Sequence, residues 1–379
     1  MIEKRTPEIR FKGYTQDWEQ RTAKNLCTIS TGKGNTQDKV QDGKYPFYVR
    51  SATIECSDDF LYDQEAVLTV GDGVGTGKVF HYVNGKYNLH QRVYRMYDFI
   101  HGVSTKYFYY YFSMNFYRRV MAMTAKTSVD SVRMAMIADM NIRFPSGKEQ
   151  EKIVSILTTL DNTIALHQDK LDKLKQLKKG YLQAMFPQKG EQIPSLRFAH
   201  FSSDWEQRKF IDIINKKNIS SNSNKLPKIE FEDIAAGEGR LNKDISRKFD
   251  DRKGIIFEPN NILYGKLRPY LKNWLFPDFK GIALGDFWVF EAKDTDPKFD
   301  YYLIQADNYQ KVANDTSGTK MPRSDWKQVS MTFFSIPNLE EQYKIGGFFK
   351  IIDDIIALQQ KKILSLRDLK KIYLQKIFF

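Results

Sequence analysis

Cysteine is scarce in this 379-residue sequence, which contains only Cys27 and Cys56. Two cysteines without a Cys-x-x-Cys pair exclude a disulfide framework and a structural zinc site, and they favour a reducing compartment. No run of apolar residues approaches the roughly 20 that a membrane-spanning helix needs. The opening segment MIEKRTPEIRF is too polar for a signal peptide. These absences predict a cytoplasmic protein that has no membrane partner.

Signatures of nucleotide binding and catalysis are also missing. The segment VGDGVGTGKVF (70–80) resembles a phosphate-binding loop, but it lacks both the glycine six positions before Lys78 and the Ser or Thr directly after it. We therefore predict a tight turn between two strands at this point. Because the sequence contains no HExxH, GxSxG or Walker motif either, recognition is favoured over catalysis.

One catalytic pattern is present in part. The segment PDFKGIALGDFWVFEAK (277–293) places Asp278, Glu291 and Lys293 in the order used by Mg²⁺-dependent PD-(D/E)xK nucleases. In such a site two carboxylates hold the metal and the lysine helps to activate water. The pattern is short and common, and the aligned run RVYRMYD in the first half has no acidic-x-Lys sequence. A nuclease stays an alternative hypothesis, and so does a helical scaffold that binds only proteins.

The charge that is present indicates a polyanionic partner. The chain has 59 Lys and Arg against 46 Asp and Glu, which gives a net charge of +13. An excess of this size favours nucleic acid first and an anionic membrane surface second. Hydrophobic residues at 41% and aromatic residues at 14% are sufficient for packed cores. A chain of this length is expected to form two or more domains.

An internal repeat organises the chain. The pentapeptide DWEQR occurs twice, and IRFKGYTQDWEQR (9–21) aligns with LRFAHFSSDWEQR (196–208) at an offset of 187 residues. A longer match aligns 144–186 with 336–378 at an offset of 192, with 19 identities in 43 columns. Repeats on this scale indicate repeated structural units. We predict two units, each with a variable body followed by a repeated tail.

Both tails are predicted to be long helices. Apolar residues recur at alternating steps of four and three, which is the period of a coiled coil. One seam on each helix favours packing of the two helices against each other. The predicted interface consists of Ile153, Leu157, Leu160, Ile164, Leu171, Leu174, Tyr181, Ile345, Phe349, Ile352, Ile356, Ile363, Leu366 and Tyr373. Polar residues occupy the same two positions in both seams, His167 with Gln359 and Lys178 with Lys370, and we predict that they fix the register or lie at a solvated end.

The bodies contain strand-like runs broken by turn residues, followed by helix-like stretches. The predicted fold class is α+β, with two mixed α/β domains separated by two long antiparallel coiled-coil helices in a pseudo-twofold arrangement. The predicted boundaries are 1–145 for the first body, 146–187 for the first long helix, 188–195 for a linker, 196–337 for the second body and 338–379 for the second long helix. Because TPEIRF (6–11) resembles IPSLRF (193–198), the start of the chain should dock where the second helix ends, near Phe378.

The combination of these motifs resembles a known family. Each body is entered by RF…DWEQR and closed by PSGKEQEKI or PNLEEQYKI, and each helix ends in KKGYLQ or KKIYLQ. In this order the motifs are similar to those of the specificity subunits of type I restriction–modification systems, over essentially the whole chain. The resemblance implies that each body is a target-recognition domain that reads one half of a bipartite double-stranded DNA sequence. It also implies that the helices set the spacing and bind two modification subunits.

The resemblance further implies which residues face DNA and which subunits carry the chemistry. S-adenosylmethionine, ATP and Mg²⁺ would belong to the modification and restriction subunits, so that this chain is not an enzyme and holds no cofactor or metal. Arginine can bond guanine, whereas lysine more often neutralises phosphate. The positions that match DNA-facing elements are Lys78, Lys126, Thr127, Ser128, Arg133, Lys266, Arg268, Tyr270, Ser317, Thr319, Lys320 and Arg323.

Overall fold

The computed structural model describes residues 7–124, 131–188, 190–248, 250–315 and 321–378. These residues form both α-helices and β-strands, so the predicted α+β class is confirmed. The chain divides into two units, Met1–Gln168 with Lys362–Phe379 and Asp169–Lys361. Each unit therefore contains one body and a part of both long helices.

The first body is built mainly from short strands. Its strands are β1 (Glu19–Thr22), β2 (Thr28–Thr31), β3 (Tyr45–Tyr48), β4 (Ile54–Ser57), β5 (Tyr62–Asp63), β6 (Ala66–Val70), β7 (Phe80–Val83), β8 (Lys86–Leu89), β9 (Val93–Tyr97) and β10 (Asn141–Phe144). Its helices are α1 (Thr105–Ala122), α2 (Met134–Ala138) and the first part of α3 (Gly147–Met185). One sheet has the antiparallel order β2-β9-β6-β7, and the other has the order β4-β3-β8-β5, in which β3 and β8 are parallel.

The second body repeats this plan with other residues. Its strands are β11 (Glu206–Lys209), β12 (Ile214–Lys217), β13 (Ser220–Ser221), β14 (Lys228–Ile229), β15 (Ile234–Ala235), β16 (Arg240–Leu241), β17 (Gly254–Phe257), β18 (Ile262–Gly265), β19 (Trp274–Leu275), β20 (Gly281–Ala283), β21 (Phe287–Ala292) and β22 (Phe333–Ile336). Its helices are α4 (Phe210–Ile213), α5 (Pro297–Leu303), α6 (Asp307–Ala313), α7 (Trp326–Met331) and the first part of α8 (Leu339–Phe378). The main sheet has the order β12-β21-β18-β19, and β13-β17-β20-β14 contains the parallel pair β14 and β20.

The central strands of the two main sheets are equivalent. β6 (AVLTV) and β18 (ILYG) are buried along their whole length, as expected for a strand covered on both faces. Each pairs on one side with the strand that precedes the helical part of its body, β9 or β21. The loops that follow β6 and β18 therefore start from the same place in the fold.

The repeated DWEQR segment closes each body against the start of a long helix. Trp18 and Trp205 are buried in the cores of their units, at 4% and 3% exposure. The residues that follow form β1 and β11, which pair antiparallel with β10 and β22. Because β10 and β22 lead directly into α3 and α8, the two copies of the pentapeptide fix equivalent junctions.

A buried ion pair accompanies each copy. Arg10 donates two hydrogen bonds to the carboxylate of Glu149, at 2.8 and 2.9 Å, and this interaction raises the pKa of Arg10. Arg197 donates in the same way to Glu341, at 2.8 and 2.7 Å. The glutamate side chains are only 1% and 0% exposed, so the bidentate geometry compensates for their desolvation.

The glutamine after each glutamate ties the long helix to a shorter one. Gln150 accepts a hydrogen bond from the backbone N–H of Ser104, and Gln342 accepts one from that of Asp296, both at 2.9 Å. Ser104 and Asp296 are the N-cap residues of α1 and α5. The repeated Glu-Gln sequence is therefore explained by structural contacts.

The start of the described chain docks on the end of α8, as the sequence predicts. The backbone N–H of Ile9 donates to the carbonyl of Lys376 at 3.2 Å, and Phe11 packs against the core that contains Phe378. In the second unit, Leu196 donates to the carbonyl of Ala184 at 2.9 Å. The chain start thus takes the place in the first unit that the linker to the second body takes in the second unit.

The two long helices pack antiparallel within each unit. In the first unit Asp161 meets Lys370 and Gln168 meets Arg367. In the second unit Lys178 meets Asp353, and Tyr181 meets Phe348 with ring centroids 5.0 Å apart. The partner number falls as the residue number on α3 rises, which is the antiparallel order.

The predicted seam residues lie on the packed faces of these helices. Those that are buried are Ile153, Leu157, Leu171, Ile345, Phe349, Ile352, Ile356 and Ile363. Those that are half-buried are Leu160, Ile164, Leu174, Tyr181, Leu366 and Tyr373. The apolar period in the sequence therefore identifies the side chains that α3 and α8 bury.

The polar seam lysines form equivalent clusters with an aspartate and a tyrosine. In the second unit Lys178, which is 8% exposed, lies 2.7 Å from Asp353, and the hydroxyl of Tyr302 donates to the same carboxylate at 2.9 Å. In the first unit Lys370 pairs with Asp161, which accepts a hydrogen bond from Tyr110 at 2.8 Å. Each cluster links both long helices to the neighbouring body.

Candidate nucleic-acid interface

Two segments that the sequence singles out meet at the end of β18 in the second body. The bridge between Leu267 and Arg323 is antiparallel. The backbone N–H of Arg268 donates to the carbonyl of Pro322 at 2.7 Å, and that of Ser324 donates to the carbonyl of Lys266 at 2.9 Å. The structure therefore brings the predicted residues Lys266, Arg268 and Arg323 into one surface loop pair.

The loop after β18 has an unusual backbone. Arg268 and Lys272 have φ values of +48° and +57°, and they flank a single 3-10 turn that begins at Pro269. A positive φ is uncommon outside glycine, and such residues often occur at functional sites. Tyr270, which lies in this turn, is 55% exposed, so its ring is available for contact with a partner.

A carboxylate lies beneath the basic side chains of this loop. Arg323 donates from Nη2 to Oδ2 of Asp286 at 3.0 Å, and Nζ of Lys266 lies 3.6 Å from Oδ1. Burial and the nearby charge of Lys266 lower the pKa of Lys216, whose Nζ lies 4.5 Å above the ring of Trp326. Two cations on one carboxylate, with Lys216 close to Lys266, leave this end of the sheet positive, which suits a phosphate backbone.

The corresponding loop of the first body follows β6. Gly71 donates to the carbonyl of Arg92 at 2.8 Å, just as Lys266 donates to that of Asp286 at 2.9 Å. Asp72 forms an antiparallel bridge with Ser131, as Leu267 does with Arg323. The two loops are thus equivalent in backbone and different in side chains.

The glycine-rich segment of the first body is a turn, as its failed phosphate-loop pattern predicts. Gly73, Gly75 and Gly77 have φ values of +99°, +85° and +73°, which other residues rarely adopt. A side chain at Gly73 would collide with the backbone of Arg50, because a Cβ there would lie 2.9 Å from its carbonyl oxygen. The predicted residue Lys78 follows this turn, with Nζ 4.5 Å above the ring of Tyr117.

A carboxylate also lies beneath the first loop. Asp72 has one oxygen 3.6 Å from Nη1 of Arg50 and the other 3.9 Å from Nε of Arg92. Both arginine side chains are largely exposed, at 50% and 65%. In each body, therefore, one aspartate lies between two cations at the end of the central strand.

The two bridges show which residues take equivalent places opposite these loops. Ser131 pairs with Asp72 in the first body as Arg323 pairs with Leu267 in the second, whereas Arg133 is the N-cap residue of the short helix α2. The DNA contact of Arg133 stays a prediction. The remaining predicted residues lie outside the described ranges, and they are Lys126, Thr127, Ser128, Ser317, Thr319 and Lys320.

Sequence reasoning missed four residues of these loops, namely Arg50, Asp72, Arg92 and Asp286. Both aspartates follow a glycine beside a buried strand, in AVLTVGD and IALGDFW. That shared Gly-Asp pair is a signal that could have identified them. Nothing comparable marks Arg50 and Arg92, which are brought to the loop by β3 and by the start of β9.

The residues of the nuclease hypothesis have other contacts. Glu291 lies on β21 and accepts a hydrogen bond from Lys217 on the neighbouring strand at 2.9 Å. Asp278 and Lys293 are exposed. In the described ranges, no group of three or more His, Cys, Asp or Glu side chains is placed to hold a metal ion.

None of the helices in the described part of the chain has both the length and the apolar character that a membrane span requires.

Comparison with known proteins identifies the family. The model of the type I restriction modification DNA specificity domain matches residues 15–176 and again residues 202–367. The EcoDI specificity subunit of a type I restriction enzyme from Escherichia coli is 23% identical over 360 residues, which cover 87% of this chain and 80% of the relative. The MjaVIII specificity subunit of Methanocaldococcus jannaschii is 21% identical, and the match covers 94% of this chain and 91% of the relative.

Solved structures show the same fold. The S subunit of a type I restriction–modification system from M. genitalium matches with a TM-score of 0.67 at 17% identity, over 99% of both chains. A chain from a structural study of a type I R-M system matches with a TM-score of 0.53 at 14% identity, over 95% of this chain and 97% of that one. Since the family model covers most of the sequence in two successive matches, this chain belongs to the family of type I restriction–modification specificity subunits.

Proposed function

We propose that this chain recognises a split DNA sequence, with each body reading one half. The observation that carries the proposal is the equivalence of the loops after β6 and β18, which have matching backbone contacts and unlike side chains. Equivalent loops with different residues suit two half-sites of different sequence, because base edges are distinguished by the side chains that reach them. The net charge of +13 provides the sequence-independent attraction to phosphate.

We propose that other subunits carry out the catalytic steps. We expect methyl transfer with S-adenosylmethionine, and cleavage with ATP and Mg²⁺, to be carried out by modification and restriction subunits, so that this chain acts by recognition in the cytoplasm. The long helices offer a docking surface for two modification subunits. Their outer faces expose apolar side chains that the seam does not use, among them Leu166, Leu177, Ile351, Leu358 and Leu364, at 48% to 69% exposure. No observation favours the nuclease alternative.

Methylation mapping tests the proposed function. In cells that carry this chain and its modification subunit, we expect adenine methylation at one motif. That motif should consist of two half-sites of constant sequence, separated by a gap of fixed length and variable sequence. Deletion of the gene for this chain should abolish methylation of that motif and leave other motifs unchanged. A methylated motif without a gap, or one that persists after deletion, would contradict the proposal.

The length of the helix pair is proposed to set the gap. α3 has 39 residues, and at about 1.5 Å per residue this corresponds to about 58 Å, or about 17 base pairs at 3.4 Å each. Adding one heptad to α3 after Gln168 and one to α8 after Lys361 preserves the seam and adds about 10 Å. Mapping should then find the gap longer by about three base pairs and both half-sites unchanged.

The matched control is a polar insertion of seven residues in the linker 188–195, which should leave the gap at its original length. If the heptad insertions change the half-site sequences instead, the helices do not act as a spacer.

A further inference from the structure

We propose that Asp286 is a specificity-determining residue that orients Arg323 to read a guanine in the half-site of the second body. This inference rests on the proposed function. It adds which base is read, a guanine, and which residue, Asp286, fixes the side chain that reads it. Its motivation is the hydrogen bond of 3.0 Å from Nη2 of Arg323 to Oδ2 of Asp286, at the surface of the loop after β18.

The backbone of Arg323 is fixed on both sides. Its bridge with Leu267 places it in a short antiparallel ladder, and the flanking bonds from Arg268 to Pro322 and from Ser324 to Lys266 measure 2.7 and 2.9 Å. The ladder extends directly from β18, which is buried in the middle of its sheet. A rigid backbone and a bonded guanidinium leave the side chain little freedom, although it is 53% exposed.

The position of Asp286 is also fixed. Its carbonyl oxygen accepts a hydrogen bond from the backbone N–H of Lys266 at 2.9 Å. Asp286 also lies directly between Gly285, whose φ is +83°, and the first residue of β21. The carboxylate is 27% exposed and has Arg323 on one oxygen and Lys266 on the other. Both ends of the Asp286–Arg323 pair are therefore held by backbone segments that adjoin two neighbouring strands, β18 and β21.

An acidic side chain in a DNA-facing loop needs a physical explanation. A free carboxylate would repel phosphate and weaken binding. Here two cations flank one carboxylate, so the cluster remains positive and the penalty is small. What the carboxylate contributes is orientation, because one bond to Asp286 leaves the other N–H groups of the Arg323 fork pointing in fixed directions.

Orientation matters for bases more than for phosphates. Contacts to phosphate position a protein without reading sequence, and they tolerate a flexible cation. Arginine reads guanine through two parallel bonds to O6 and N7, which requires a defined plane of the guanidinium. An arginine held by a carboxylate is therefore suited to a guanine. In the first body the Asp72 contacts of 3.6 and 3.9 Å are too long for hydrogen bonds, so the inference is confined to the second body.

The experiment uses the full chain in complex with its modification subunit. Methylation rates are measured on the mapped target and on duplexes that carry each single base-pair substitution in both half-sites. For Asp286→Asn, which keeps the shape of the side chain, we expect discrimination at one G·C pair to fall about tenfold, with discrimination at every other position unchanged. Arg323→Lys keeps the charge and removes the fork, and it should lose discrimination at the same G·C pair.

Glu258→Gln is the matched control. Glu258 pairs with Lys280 at 2.6 Å on the surface of the same body. It lies before the start of β18, whereas Lys266, a partner of Asp286, lies after the end of that strand. This variant should keep all discrimination. The unchanged half-site of the first body reports that each variant is folded.

Three results would overturn the inference while leaving the proposed function intact: no effect of Asp286→Asn, an equal loss at all positions, or a different base pair affected by Arg323→Lys. Absence of a split target for the unsubstituted complex would instead contradict the proposed function itself.

Discussion

Replacing Leu157 with alanine is expected to lower the free energy of unfolding of the first unit by about 3 kcal/mol. Leu157 is fully buried, and it lies in a core that also contains Trp18, Tyr107 and Phe378. Truncation of a buried leucine costs about 2 to 5 kcal/mol, because transfer energy is lost and a cavity remains. Urea unfolding of the full chain, followed by tryptophan fluorescence and by circular dichroism, measures the change in the transition that involves this unit.

Leu166→Ala provides the matched control, since it removes the same atoms from the same helix. Leu166 is 68% exposed, and we expect its substitution to change stability by less than about 0.5 kcal/mol. Equal effects of the two substitutions would contradict the antiparallel packing described for the first unit.

Replacing Asp353 with alanine is expected to destabilise the second unit by about 3 kcal/mol. Its carboxylate is the partner of the buried ammonium of Lys178 and of the hydroxyl of Tyr302. Loss of one member of a buried ion pair leaves an uncompensated charge, which costs about 3 to 5 kcal/mol. The unfolding midpoint of the full chain, measured by heat and by urea, should fall.

The neighbouring residue supplies the control for Asp353. Asp354 pairs with Lys350 one turn away on the same helix and is 62% exposed, so Asp354→Ala should change stability by about 0.5 kcal/mol or less. The double variant Lys178→Met with Asp353→Leu should recover most of the loss, because it removes both charges. If the double variant is as unstable as Asp353→Ala, the cost does not arise from the unpaired lysine.

The long helices could be predicted from the sequence because their signal is local. The steps of four and three recur without interruption, and the side chains at those steps are buried or half-buried in the structure. The docking of the chain start on the end of α8 was also predictable, since TPEIRF matches the segment that follows α3. In both cases a repeat within the chain stands in for three-dimensional information.

The function of the polar seam positions could not be predicted fully. A register-fixing role was expected for Lys178 and Lys370, but the sequence does not show that an aspartate of the other helix and a tyrosine of a body complete each cluster. Tyr110 and Tyr302 lie in helices outside the repeated tail. Their contacts depend on how each body packs against α3 and α8, which periodicity does not specify.

The candidate DNA-reading loops were predicted only in part. Lys266, Arg268 and Arg323 were identified through the family resemblance, and the structure places them together. Asp286 was not, because its importance comes from a contact with a residue 37 positions away. Side-chain pairs of this kind depend on strand order and register, and the sequence of a single chain does not reveal them.

The discontinuous first unit has a consequence for synthesis on the ribosome. Domains usually fold in the order in which they are translated. Here Ile377 and Phe378 belong to the same core as Trp18 and Tyr107. The core of the first body therefore cannot be completed until almost the last residues of the described chain have been synthesised. All residues of the second unit, Asp169–Lys361, emerge before that point. The nascent chain should therefore complete its later-translated unit first.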